Sequence, residues 1–332
     1  MIEPVKEFKF RFTREGKVLS MFRAKGEANE EGLTLDKTLI PYESIQLTQM
    51  KERYLAIVLS PDASVEIKES LAKVMAAPDV LLIDAGRKKN EQINRYVNLM
   101  ISGVQAQLHR EALEAKGQAE LFRAVQCPHC GAIIDLSELD KTRYSFCRFC
   151  ETVFTDAGDI VTKGDEYRIC PECGYFDRVK NYTEFYFLFL VWFYYISYKQ
   201  RLLCRNCSKK IALKMFFVNI LGFIGWIPTF IMIIQSMTGH DPSLKSLSKA
   251  NILSQKKMVR QAVPIYESMA ERLPEHPGLL FNQAKAHINA DDLDSAAADF
   301  NRCLSACSNY EPAIATLAAI ASLAETDAAQ NA

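Results

Sequence analysis

No glycine-rich phosphate loop, no His-Glu-x-x-His helix and no Gly-x-Ser-x-Gly elbow occurs in the 332 residues, and the five histidines are nowhere paired at ligand spacing. Each of those motifs places a phosphate cradle, a catalytic metal or an exposed nucleophile, so their absence leaves no recognisable catalytic machinery and the chain reads as a non-enzyme. Excess charge of one sign is missing too. Forty Lys and Arg balance forty Asp and Glu, which argues against a protein-wide nucleic-acid footprint. The opening residues, Met1-Ile2-Glu3-Pro4-Val5-Lys6, lack the apolar stretch of a secretory signal. The expectation is therefore a reducing cytoplasm, in which cysteines stay as thiols.

Cysteine, by contrast, is organised. Eight of ten fall in four Cys-x-x-Cys pairs: Cys127/Cys130, Cys147/Cys150, Cys170/Cys173 and Cys204/Cys207. A pair at this spacing presents two sulfurs from one turn, so two pairs can enclose a divalent ion with four thiolates and leave no open coordination position. Two structural four-cysteine zinc sites are expected, with Zn2+ as the cofactor. Cys127-Pro128-His129-Cys130 also matches a dithiol redox centre, and a thiol oxidoreductase using Cys127 and Cys130 stays open as a rival. His129 reads as a loop residue, and Cys303 and Cys307 as core.

The organisation along the chain predicts a multidomain α+β protein. Residues 1–85 alternate with period two, in 8–12, 18–22, 32–35, 38–46 and 54–59, as a small antiparallel β domain. Residues 86–125 carry a helical stripe of Ile93, Val97, Met100, Ile101, Val104 and Leu108, long enough for a spacer or a homo-oligomer face over 88–125. A first zinc ribbon is expected at 126–156 and a second at 166–212, the latter with an insert, 185–198, in which nine of fourteen uncharged residues are aromatic.

Fourteen residues are too few to span a bilayer, and a span would separate the two pairs of one site. The insert should return to its own side, as a ribbon strand or as an aromatic surface at the headgroup level. Residues 215–234 are uncharged over twenty positions, the length of a membrane core, so 213–237 is expected to be a transmembrane or re-entrant segment, a fully buried helix being the alternative. Lys199, Arg201, Arg205, Lys209, Lys210 and Lys214 lie between, with no acidic residue among them over 199–214. That basic cluster would face the cytoplasm and anionic headgroups.

Beyond residue 244, Leu247, Ala250, Leu253, Ala262, Tyr266 and Met269 are followed at thirty-four residues by Phe281, Ala284, His287, Ala296, Phe300 and Cys303. This spacing resembles the tetratricopeptide repeat over 244–325, which implies a groove for a protein or peptide partner. The Gly32-Leu33-Thr34-Leu35 strand followed by Leu39-Ile40-Pro41-Tyr42 resembles pleckstrin-homology-like domains. The ribbons with their aromatic insert and Gly225-Trp226-Ile227-Pro228 resemble bacterial membrane-associated zinc-ribbon proteins. Together these imply a non-enzymatic scaffold at the inner membrane, with zinc modules on the cytoplasmic side. A soluble zinc-ribbon protein that binds nucleic acid or serves transcription is the alternative.

Overall fold

The computed structural model describes residues 3–14, 17–51, 53–190, 193–219, 226–237 and 246–330. Parts of the expected aromatic insert (191–192), apolar run (220–225) and repeats (244–245) therefore lie outside the described residues. The chain divides into two compact units, Met1–Glu138 and Leu139–Ala332.

In the first unit the strands are β1 (Val5–Arg14), β2 (Lys17–Val18), β3 (Ala24–Ala28), β4 (Leu33–Leu35), β5 (Thr38–Ile40), β6 (Ile45–Lys51) and β7 (Tyr54–Leu59). After helix α1 (Val65–Leu71) come β8 (Met75–Ala77), β9 (Val80–Asp84), helix α2 (Arg87–Ala115), β10 (Ala124–Gln126) and β11 (Ile133–Asp135). The main sheet is antiparallel in the order β5-β4-β3-β1-β9-β7-β6. Alternation on β1 sends Phe8, Phe10 and Phe12 into the core, where Phe10 and Phe12 meet edge to face at 4.9 Å. Strand β3 has almost no apolar signature because its inward position opposite Phe8 must be empty: a Cβ on Gly26 would lie 2.6 Å from the Phe8 ring. Residues 18–22 do not form the expected strand, and Met21 and Phe22 stand exposed.

Helix α2 lays Ile93, Tyr96, Val97 and Ile101 on this sheet. Asn98 fastens it, accepting the Thr48 N–H at 3.0 Å and donating to the Thr48 carbonyl at 3.0 Å. The stripe expected to offer a homo-oligomer face over 88–125 is thus spent within its own core. The helix also stops ten residues early, where Gly117 takes a φ of 69° and Gln118 donates to the Leu113 carbonyl at 2.9 Å.

The second unit begins with three short strands, β12 (Tyr144–Phe146), β13 (Val153–Thr155) and β14 (Ile160–Thr162), then β15 (Tyr167–Ile169), β16 (Phe176–Leu190) and β17 (Phe193–Cys204). Helices α3 (Arg205–Val218), α4 (Trp226–Met237), α5 (Leu247–Gln255), α6 (Val259–Ala270), α7 (Pro277–Asn289), α8 (Leu293–Ala306) and α9 (Glu311–Gln330) follow. The aromatic insert is a hairpin, with Phe185 opposite Tyr198 and Val179 opposite Cys204. Its return strand carries the last cysteine pair back to the third.

The expected membrane segment is corrected here. No helix among the described residues is long and apolar enough to cross a membrane. The run 215–234 is divided between the end of α3, whose first ten residues bear Arg205, Lys209, Lys210 and Lys214, and the twelve-residue α4. Both helices pack on β16, and Asn219 accepts the Phe187 N–H at 2.8 Å and donates to the Phe185 carbonyl at 2.9 Å. The expectation of an inner-membrane location loses its support with the span. The basic cluster is also dispersed: Arg201 pairs with Glu172 and Glu184, Lys199 sits opposite Glu184 across the hairpin, and Lys210 donates to Gln255.

Candidate metal centres

Three of the four cysteine pairs share one local geometry. In each, the residue after the second cysteine donates to the carbonyl of the first: Gly131 to Cys127 (2.9 Å), Glu151 to Cys147 (2.6 Å) and Gly174 to Cys170 (2.7 Å). The first cysteine in turn donates to the residue beyond, Cys127 to Ala132, Cys147 to Thr152 and Cys170 to Tyr175. This double closure requires a left-handed residue at the fifth position, and φ there is 80° at Gly131, 59° at Glu151 and 68° at Gly174. Glycine takes that region freely. Glu151 does so at some cost in strain, and its partly buried carboxylate is held by an ion pair with Arg168. Burial pushes the Glu151 carboxyl up, with Arg168 opposing.

The fourth pair is built differently. Cys204 is the last residue of β17 and the extended N-cap of α3, and Cys207 lies in the first turn of that helix. Helix N-termini favour negative charge through their free N–H groups, which suits a thiolate ligand.

The eight sulfurs gather as two groups, Cys127/Cys130/Cys147/Cys150 and Cys170/Cys173/Cys204/Cys207, with the ligand atoms of each group within 4.8 Å of one another. Both groups are capable of coordinating a metal ion. The second fits a tetrahedral ion by its dimensions: arms of ~2.3 Å to sulfur imply sulfur–sulfur edges of ~3.8 Å, and Cys173 Sγ lies 3.8 Å from Cys204 Sγ. The Cys204 N–H is directed at Cys170 Sγ, 3.4 Å away. Hydrogen bonds from Cys173, Cys204 and Cys207 draw the Cys170 thiol far below the ordinary range, and the same bonds push the Cys204 and Cys207 thiols up.

Neighbouring side chains hold the knuckles in place. Thr152 Oγ1 lies 3.2 Å from Cys150 Sγ and accepts the Gly164 N–H at 3.3 Å. Gly164 admits no side chain, since its Cβ would fall 1.9 Å from the Cys150 carbonyl oxygen. On the third knuckle, Lys285 of α7 donates to the Gly174 carbonyl at 2.8 Å and lies 4.9 Å from the Tyr175 ring centroid; burial lowers its pKa. Asn282 accepts the Phe176 N–H at 2.8 Å and donates to the Phe176 carbonyl at 2.7 Å. Asn309 does the same for Phe146, at 2.9 and 2.7 Å. Beside them Asp177 is buried, accepting from Asn251 at 3.0 Å, and burial pushes its carboxyl up to about 7.

These asparagines escaped the sequence reading. The available signal was a run of amides on otherwise apolar helix faces, at Asn98, Asn219, Asn251 and Asn282, each nearly or fully buried. A buried amide must find partners, and an unpaired strand edge supplies both a donor and an acceptor.

The same contacts correct the expected peptide groove. The surfaces of α5, α7 and α8 expected to receive a partner are packed against this chain's own ribbon strands, with Tyr144, Phe146 and Val153 in one core and Tyr167 and Phe176 in another. The oxidoreductase reading is also corrected. Cys127 is buried, its pair sits on a hairpin turn between β10 and β11 rather than at a helix N-terminus, and it is grouped with two further thiols. Cys303 and Cys307 are buried in the helical core.

No family model, no curated protein and no solved structure matches this chain. The likenesses to pleckstrin-homology-like domains, tetratricopeptide repeats and bacterial membrane-associated zinc ribbons accordingly find no relative to carry them. The Gly-Leu-x-Leu signature amounts to the three-residue β4, too short to specify a family.

Proposed function

We propose that both four-cysteine groups are structural Zn2+ sites, and that the protein is a non-catalytic scaffold whose ribbons are held in one conformation by metal. The observation that supports this most is the second group: four sulfurs within 4.8 Å of one another, one pair of them at the tetrahedral edge of 3.8 Å, a backbone N–H directed at one sulfur, and no fifth donor in the group among the described residues. Four thiolates fill the coordination shell, so the ion has no position for a substrate or an activated water. Zinc is chosen over iron because a closed structural site gains nothing from a redox-active ion, although the same donor set accepts either.

Metal analysis of purified protein tests the assignment. Two zinc ions per chain are expected, falling to one in Cys170→Ser. Iron with its thiolate absorption bands, or less than one ion per chain, would overturn it. A nucleic-acid-binding or transcription-related role draws support from the paired four-cysteine knuckles together with the lack of a membrane-crossing helix among the described residues. It demands affinity for DNA or RNA that falls steeply with salt, and filter binding across a salt series decides between the two readings.

A further inference from the structure

Helix α4 contains no charged residue in its twelve positions and is apolar on two opposite faces. The inner face is accounted for: Thr229 and Met232 are buried, and Met232 and Ile233 join the core formed by Val179, Tyr182, Leu203 and Met215. The outer face is bare. Ile227, Phe230, Ile231 and Ile234 are 65%, 55%, 49% and 60% exposed, and they follow one another at i, i+3, i+4 and i+7. Neighbouring α3 adds Leu213 and Phe217, one turn apart and 58% and 61% exposed. A helix apolar all round is ordinarily covered all round.

We infer that α4, with the end of α3, is the interface of a two-fold homodimer of this chain. Two observations favour a second copy as the occupant. The first is size. The six side chains expose on the order of 700 Å2, above the ~300–600 Å2 of the largest apolar patch on a typical monomer and close to the ~800 Å2 per partner of a stable interface. The second is pattern. A stripe at i, i+3, i+4 and i+7 forms ridges that mesh with the same stripe on another helix, and an isologous contact requires a patch that complements itself. Two helices from each copy would then make a four-helix contact.

Sedimentation of the full-length, zinc-loaded chain in detergent-free buffer tests the inference, over a concentration series from below one micromolar upward. The expected result is a monomer–dimer equilibrium that Phe230→Glu with Ile234→Glu weakens by at least ~100-fold, and Phe230→Ala by ~10-fold, as for buried interface anchors. Met21→Glu, at a still more exposed apolar position on the first unit, should leave the equilibrium unchanged. Zinc content and helical circular dichroism, read on the same samples, show that each variant is folded. The alanine variant keeps the test decisive if the charged pair unfolds the helix. A wild-type chain monomeric throughout, or a dimer indifferent to the folded variants, would overturn the inference. So would a chain that is monomeric in buffer yet floats with phosphatidylcholine–phosphatidylglycerol vesicles, since lipid would then be the occupant.

Discussion

Between β1 and β9 the chain builds a single core from long alternating strands, with Phe8, Phe10, Phe12, Leu33, Leu55, Ile57 and Ile83 all inside it and α2 laid over them. Between β10 and β15 no strand exceeds three residues. Of the apolar side chains there, Tyr144, Phe146 and Val153 enter a core shared with α7–α9, and Tyr167 enters another shared with α5–α7. Strands of three residues expose most of their backbone hydrogen-bonding groups, and so short a pairing cannot offset the entropy of ordering its own turns. The knuckle turns are held instead by metal-ready sulfurs on one side and by helix asparagines on the other. Apolar area thus orders the first region, while ligand bonds and buried amides order the second.

Metal removal breaks this comparison most sharply. A four-thiolate zinc site contributes ~10–16 kcal/mol apparent to folding in small modules. Chelation, or Cys170→Ser, should therefore release amide protection across 166–218 in hydrogen exchange while the amides of β1, β7 and β9 stay protected. Equal loss in both regions would mean that the sheet also depends on metal. The converse change is Phe10→Ala, at a fully buried position. It should lower the stability of the sheet by ~3–5 kcal/mol and leave the zinc stoichiometry untouched, as denaturant titration with metal analysis would show.

Smaller effects test the amides. Asn282→Ala removes the acceptor of the Phe176 N–H, leaving that buried donor unsatisfied at ~1–3 kcal/mol, while the Phe176 carbonyl keeps Asn251 as a donor at 3.1 Å. The second unit should lose ~1–3 kcal/mol while retaining its metal, so a variant that instead lost zinc would place Asn282 within the metal site. The last test uses pH. His276 is wholly buried, its Nδ1 accepting the Gly278 N–H at 3.1 Å and its Nε2 lying 3.1 Å from Thr162 Oγ1. Burial lowers its pKa from 6.5 to about 3. Between those values the unfolded chain binds the additional proton, so His276 destabilises the fold progressively as pH falls from 6.5 towards 3, by at most about 1.4 kcal/mol per pH unit, and has no such effect above 6.5. His276→Asn keeps a helix-capping side chain and should flatten that part of the stability-against-pH curve relative to the wild type.

What could be read along the chain followed from how local each signal is. The period-two alternation of Phe8, Phe10 and Phe12, the helical stripe from Ile93 to Ile101 and the four Cys-x-x-Cys turns each depend on a few consecutive residues, and each was legible. Strand β3 was not, because Gly26 and Ala28 are small to fit beneath Phe8 rather than apolar to bury themselves. The aromatic insert suggested membrane because aromatic side chains suit a bilayer interface as well as they suit a hairpin covered by α3 and α4. The run 215–234 was misjudged for a related reason: hydropathy registers the length of an apolar stretch but not a break within it.

The sequence by itself determined the ligand chemistry, because thiolate spacing within one turn is a property of the backbone and needs no tertiary partner. It also determined that the chain alternates between strand and helix. The spacing also gave which pair joins which, the first with the second and the third with the fourth; only the tertiary structure decided how the last pair returns, because Cys204 reaches Cys170 through the register of a hairpin whose two strands are 15 and 12 residues long. It alone decided that the helices beyond α4 hold this chain's own ribbons. Asn282 and Asn309 act on Phe176 and Phe146, 106 and 163 residues away, and no local pattern records a contact made over that distance.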